Sequence, residues 1–185
     1  KSGDWRAVQP QRQLANNSSC YNSKPDFDFF LREMEAMYSS YSGERGLFSR
    51  VACQKIAARN GRRDSKQEFG TNPCSEIILR PNQFCNLSEV VVRQGDTLKD
   101  LKRKVRQATI LGTLQATLTD FRYLRSIWKK NTEEEALLGV SLTGIMDHPV
   151  LSGSFAGKVC MKEGWGVSLE EVLETLKEVA IETNK

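Results

Sequence analysis

Asn72-Pro73-Cys74-Ser75-Glu76 sets one thiol two residues from a side-chain amide and two residues from a carboxylate. A second thiol, Cys85, follows eleven residues later in Phe84-Cys85-Asn86-Leu87-Ser88-Glu89-Val90. In an extended segment, residues i and i+2 point to one face, so Asn72, Cys74 and Glu76 are expected to project into one pocket. Such a trio offers a hydrogen-bond donor, a sulfur and a proton acceptor to one small substrate. Cys85 could then return electrons by thiol–disulfide exchange. Pro73 stiffens the backbone and removes an amide donor, which suits a tight loop better than a central strand.

Other chemistry-bearing residues carry less. The five cysteines (Cys20, Cys53, Cys74, Cys85 and Cys160) form an odd set with no CxxC pair. His148 is the single histidine, which leaves too few ligands for a zinc site, so no metal site is expected. Free thiols point to a reducing compartment and hence to the cytoplasm. Cys20, Cys53 and Cys160 are read as small buried hydrophobes, and His148-Pro149 as structural. Arg62-Arg63 could hold a phosphate bidentately, although a solvated face is the commoner use of such a pair. The basic run at 99–106 lies on the polar side of an amphipathic helix with no interleaved aromatic rings, and is read as surface.

These residues need elements to position them. Residues 1–23 are polar and read as loop with a little extended structure. Phe27, Phe30, Leu31, Met34, Met37 and Tyr38 recur at helical spacing, predicting a helix over 26–41 that the segment 42–46 breaks. A second helix is expected over 49–60 through Val51, Ala52, Ile56 and Ala57, with Gly61 at its left-handed cap. Residues 76–79 and 89–93 read as strands joined by a turn at Pro81-Asn82-Gln83. Asp96 or Thr97 should cap a long helix whose stripe is Leu98, Leu101, Val105, Ala108, Leu111 and Leu114. Thr132 with Glu135 has capping-box spacing and should open a short helix. Residues 138–142 read as a buried strand, and Ser168 with Glu171 should cap a last helix through Leu169, Val172, Leu173, Leu176 and Val179. Alternating helices and strands argue an α/β fold.

At 185 residues, with 39% apolar and 27% charged side chains, the chain is long enough for one domain with its own core. No stretch approaches the roughly 20 apolar residues of a membrane span. Lys1 is followed by no signal segment, so the chain reads as an internal piece of something longer. The net charge of +4 suits a polyphosphate substrate, yet a mild basic excess is common without one.

The two cysteine motifs occur in a particular order. Asn60-Gly61-Arg62-Arg63-Asp64 precedes Phe69-Gly70-Thr71-Asn72-Pro73-Cys74-Ser75-Glu76-Ile77, then the Cys85 segment, then Leu137-Leu138-Gly139-Val140-Ser141-Leu142-Thr143-Gly144. In this the chain resembles, over nearly its whole length, the catalytic subunit of ribonucleotide reductase. The similarity is to the adenosylcobalamin-dependent (class II) branch, given Asn-Pro-Cys-Ser-Glu and the short Cys74 to Cys85 spacing.

The resemblance implies a ten-stranded α/β barrel of which residues 1–185 form a single segment of the catalytic domain. It implies that Cys74 carries a thiyl radical that takes the ribose 3′-hydrogen, that Glu76 is the base for the 3′-hydroxyl, and that Asn72 holds the sugar hydroxyls. It makes Cys85 one member of a reducing cysteine pair whose other member lies before Lys1. It also implies adenosylcobalamin as cofactor, without naming a residue that touches it. The implied partners are a ribonucleotide, a thioredoxin-like or dithiol reductant, and the remainder of the parent chain. The relatives' phosphate-binding Pro-Ser-Gly-Thr loop is absent and is expected after Lys185, so the isolated chain should bind substrate poorly. The competing reading is a non-catalytic basic α/β module that binds nucleic acid or a protein partner.

Overall fold

Short-range signals open most of the helices. In the computed structural model, which describes residues 8, 10–11, 18–41, 46–153 and 168–185, the chain divides into two compact units, Lys1–Gln83 and Phe84–Lys185. Among the described residues the architecture is mixed α/β, with six strands paired into three two-stranded sheets.

In the first unit β1 (Ser18–Tyr21) pairs in parallel with β2 (Gly46–Ser49), setting Cys20 opposite Phe48. A parallel pair needs a crossover, which here contains α1 (Phe27–Ser39). The Asp26 carboxylate accepts from the Phe29 N–H at 2.9 Å and starts that helix, while Tyr21 packs on Phe29 and Phe30. Ser49 caps α2 (Arg50–Asn60), and Gly61 ends it at φ 63°, the left-handed geometry anticipated for that glycine. The unit's core is Phe48, Cys53, Ala57 and Phe69, with Ile78 packed against it. Cys53 and Ala57 stand four residues apart on one helix face. They, and not Ala52 or Ile56, are the residues α2 buries.

The strand expected over 76–79 shortens to β4 (Ile78–Leu79), which pairs antiparallel with β3 (Gly70–Thr71). Residues 72–77 form the connection, so Glu76 and Ile77 fall outside the strand as assigned.

The second unit is built on β5 (Asn86–Val91) and β6 (Leu138–Thr143), parallel in the register Asn86 to Leu138 through Val91 to Thr143. β5 starts three residues before the expected 89, because the ladder begins at Asn86. The crossover carries α3 (Leu98–Ala116) and α4 (Ser126–Glu135). Thr97 and Asp100 form a complete capping box at the start of α3. α3 packs on β5, β6 and α5 (Leu169–Thr183), burying Leu101, Val105, Ala108 and Gly112. Those positions follow the i, i+4, i+7, i+11 line of one helix face. Leu111 and Leu114, assigned to the stripe from sequence, fall off that line and are 65% and 60% exposed.

Thr132 does not open a helix. α4 starts at Ser126, Thr132 is buried within it, and Ala136 ends it in the left-handed region at φ 43°. The Thr132–Glu135 spacing therefore matched a cap without being one. Ser168 and Glu171 do form a capping box on α5, which buries Val172, Leu176 and Val179 while Leu173 stays exposed. Val90, Val92, Leu101, Val105, Val150, Val172 and their neighbours make the core.

After β6 the chain turns at Gly144 (φ 73°) into a single 3-10 turn, Ile145–Asp147. His148 follows, 1% exposed. Its Nδ1 accepts from the N–H groups of Val150 and Leu151, both at 3.2 Å, and its Nε2 lies 3.0 Å from the Asp96 carbonyl. Facing two donors at Nδ1, the ring carries its proton on Nε2 and donates it to Asp96. The histidine is a structural staple.

Candidate active site

The Cys74 motif sits on the connection of the β3–β4 hairpin. The last ladder pair is Thr71 with Ile78, and the Asn72 N–H donates to the Ile77 carbonyl at 3.3 Å. The Ser75 N–H donates to the Asn72 carbonyl at 3.0 Å, closing a β-turn whose central residues are Pro73 and Cys74. Proline suits the first central position of such a turn. Ser75 then takes φ 66°, a left-handed conformation that is unfavourable for a residue with a Cβ and typical of strained functional loops.

Side chains lock the same loop. The Asn72 Nδ2 donates to Glu76 Oε1, and the Ile77 N–H donates to Asn72 Oδ1 at 3.1 Å. The structure thus brings Asn72 and Glu76 into contact and sets Cys74 at the turn between them. It does not place the three on one face of a strand in a shared enclosed pocket. Cys74 and Glu76 are exposed, and Asn72 is half-buried. The cause is local, because a turn centred on Pro73 and a left-handed Ser75 abolish the alternation on which the extended reading depended.

The hairpin stem is held from below. Phe69, directly before β3, is fully buried. Its carbonyl accepts from Arg50 Nε at 2.8 Å, and the Arg63 guanidinium lies 4.8 Å from its ring centroid, a cation–π distance. Arg63 also donates to the Ile78 carbonyl at 2.8 Å and lies 3.5 Å from Gln83 Oε1, which accepts from the Arg80 N–H at 2.9 Å. Arg63 is half-buried and ties the hairpin stem to its base, while Arg62 is exposed. Sequence reasoning missed this positioning role. Nothing in the Arg62-Arg63 pair marks which member turns inward; the burial of Phe69 decides it.

A recess of about 400 Å³ opens beside the stem, lined by Arg50, Glu68, Thr71, Arg80 and neighbours. It is polar and too small for a corrin macrocycle.

Cys85 belongs to the second unit, half-buried at the entrance to β5. The described cysteines Cys20, Cys53, Cys74 and Cys85 are all free thiols. Burial pushes the Cys53 thiol pKa up, and Cys53 is the inert core residue that the sequence suggested. Cys20 is exposed instead of buried, because it sits on a short sheet covered only in part. Cys160 lies outside the described residues. Among the described residues no three His, Cys, Asp or Glu side chains are grouped to hold a metal.

The basic run on α3 is less free than its composition suggests. Lys104 is half-buried and donates to Asp96 Oδ2 at 2.6 Å and to the Val91 carbonyl at 2.9 Å. Burial alone would raise the Asp96 pKa. The Lys104 ammonium and the Arg93 N–H outweigh it and hold the carboxyl below its ordinary range. Among the described residues no helix is long and apolar enough to cross a membrane.

Two curated proteins are similar to this chain: the adenosylcobalamin-dependent ribonucleoside-triphosphate reductases of Lacticaseibacillus paracasei and Lactobacillus gasseri. Each is 30% identical over 155 residues, covering 78% of this chain and 19% of the relative. The chain therefore spans about a fifth of the length of the curated relatives it matches. No family model matches the chain, and no solved structure matches it.

Proposed function

We propose that this chain is a segment of the catalytic barrel of a ribonucleotide reductase acting on ribonucleoside triphosphates. On this proposal residues 1–185 lie in the catalytic domain, and the rest of a longer chain completes the ten-stranded barrel and supplies the phosphate-binding loop. The observation that carries the reading is the turn holding an exposed Cys74 thiol between a hydrogen-bonded Asn72 and Glu76. The 30% identity to two triphosphate reductases supports it.

The chemistry assigned to these residues balances. A thiyl radical on Cys74 takes the C3′ hydrogen, leaving a Cys74 thiol and a carbon radical. Glu76 accepts the 3′-hydroxyl proton, and Asn72 orients the sugar hydroxyls. The 2′-hydroxyl leaves as water. The Cys85 thiol and a second thiol outside residues 1–185 together supply two protons and two electrons, and end as a disulfide. Of the two hydrogens from the thiols, one leaves in the water and one ends on C2′; Glu76 returns its proton to O3′, and Cys74 returns its hydrogen to C3′ and becomes a radical again. An external dithiol of the thioredoxin type reduces the disulfide, in keeping with a reducing, cytoplasmic setting. Adenosylcobalamin is taken as the radical source from the relatives' names. The recess beside the hairpin does not fit a corrin, so no residue here is assigned to it and no step is built through it.

The test is Cys74→Ser in the longer parent protein. Cys74 is exposed in its turn, so circular dichroism should be unchanged while deoxynucleotide formation from ribonucleoside triphosphates disappears. Turnover above trace would overturn the assignment.

A further inference from the structure

We infer that an aromatic clamp, formed by Trp128 on α4 and Phe121 in the segment before that helix, holds Cys85 in place, and that both are positioning residues for its thiol. The Phe84 ring centroid lies 4.7 Å from that of Trp128 and 5.0 Å from that of Phe121, within the range of favourable ring pairing. None of the three rings belongs to the buried core of this unit. Phe84 stays 38% exposed despite both contacts, so the rings do not form the unit's core. What they do is fix the residue before Cys85.

The residue after Cys85 is fixed as well. Asn86 is buried, its Nδ2 donates to the Leu137 carbonyl at 3.0 Å, and it opens the β5–β6 ladder opposite Leu138. The Cys85 backbone is therefore held on both sides, by tilted ring packing at Phe84 and by hydrogen bonding at Asn86. Both anchors lead to the segment around α4, since Trp128 lies on that helix and Leu137 follows its end. Thiol–disulfide exchange depends on bringing sulfurs into line with one another. A thiol whose neighbours are both fixed loses little additional freedom when it reacts, and small displacements in such sites cost on the order of 10²-fold in rate.

The role in turnover rests on Cys85 acting as reductant; the clamp itself does not. The parent protein carrying Trp128→Ala or Trp128→Phe is compared with the unaltered one in two measurements. The first is the alkylation rate of Cys85 read by peptide mass spectrometry, with buried Cys53 as internal control. The second is deoxynucleotide formed per 3′-hydrogen exchanged. Loss of the clamp in Trp128→Ala should raise Cys85 alkylation about tenfold, because thiol reactivity follows exposure, and leave Cys53 unchanged. Product per exchange should fall by roughly 10–100-fold, and Trp128→Phe, which can still stack, should restore both. Should Trp128→Ala not fold, Phe121→Leu takes its place in the same comparison. Unchanged Cys85 alkylation in the folded variant would overturn the clamp. A parent with no reductase activity would overturn the functional proposal, and the alkylation rates would still decide the clamp.

Discussion

The side-chain amide of Asn72 donates to the carboxylate of Glu76 across the turn that carries Cys74. The carbonyl end of the same amide accepts from the Ile77 N–H at 3.1 Å. Asn72 thus closes the hairpin connection with both ends of one group and holds Glu76 ready without burying it. A ribose entering this turn would replace one internal hydrogen bond by two to its own hydroxyls, one at each partner. On the proposed function, that exchange would let an exposed turn bind a sugar without first exposing an unpaired buried group.

Replacing Glu76 by glutamine separates its two tasks. The Glu76→Gln side chain retains an oxygen that can accept from Asn72, so the turn should persist. It cannot take up the 3′-hydroxyl proton. In the parent protein kcat should drop by about 10²–10⁴-fold, the usual worth of a general base, with KM nearly unchanged, since the proposed phosphate-binding loop lies outside residues 1–185. A near-normal kcat with a raised KM would mean that Glu76 only orients the sugar.

Acid should loosen the second unit through Asp96. Its carboxyl pKa is lowered from 3.8, burial being outweighed by the bonds from Lys104 and the Arg93 N–H. A group whose folded pKa is depressed stabilises the fold above its unfolded pKa, and that contribution is lost as pH falls through the folded pKa. The thermal midpoint should therefore hold above about pH 4 and fall below it, given an unfolded Asp value of about 3.9. Asp96→Asn should lower the midpoint near neutrality and flatten the acid limb. Parallel curves for the two proteins between pH 2 and 6 would show that the ion pair contributes nothing to this dependence.

Gly144→Ala should be among the costlier single changes in the second unit. Gly144 takes φ 73°, and a Cβ there would stand 2.6 Å from the Val92 carbonyl oxygen. Left-handed strain alone costs roughly 1–2 kcal/mol. The Val92 carbonyl is backbone, in a segment whose Val92 N–H is bonded to Thr143, and it cannot swing aside as a side-chain tip would. Urea denaturation should show a loss of at least about 2 kcal/mol; an unchanged midpoint would contradict the close approach.

Thr97, Ser168 with Glu171, and Gly61 were legible because each acts within one helical turn, on backbone groups three or four residues away. Thr132 with Glu135 shows the limit of that legibility. The same spacing occurs inside α4, where the backbone N–H groups are already bonded and a cap has nothing to satisfy. Leu111 and Leu114 fail for another reason. Leucine at near-helical spacing marks a helix, but which line of it is buried depends on what lies against it, and β5, β6 and α5 select the Leu101–Val105–Ala108 side.

For the candidate site the same division holds. The residue types and order around Asn72, Cys74, Glu76 and Cys85 stand in the sequence by itself, and with them the kind of chemistry on offer, because donor, thiol and carboxylate are properties of single side chains. The closed turn at 72–77 and the Asn72–Glu76 bond within it are local, in keeping with Pro73, but only the tertiary structure decided that Arg63 turns inward beneath Phe69 and that Trp128 reaches Phe84. The latter two depend on which ring is buried or paired. Such outcomes come from residues distant in the chain competing for the same partners, and no local spacing encodes them.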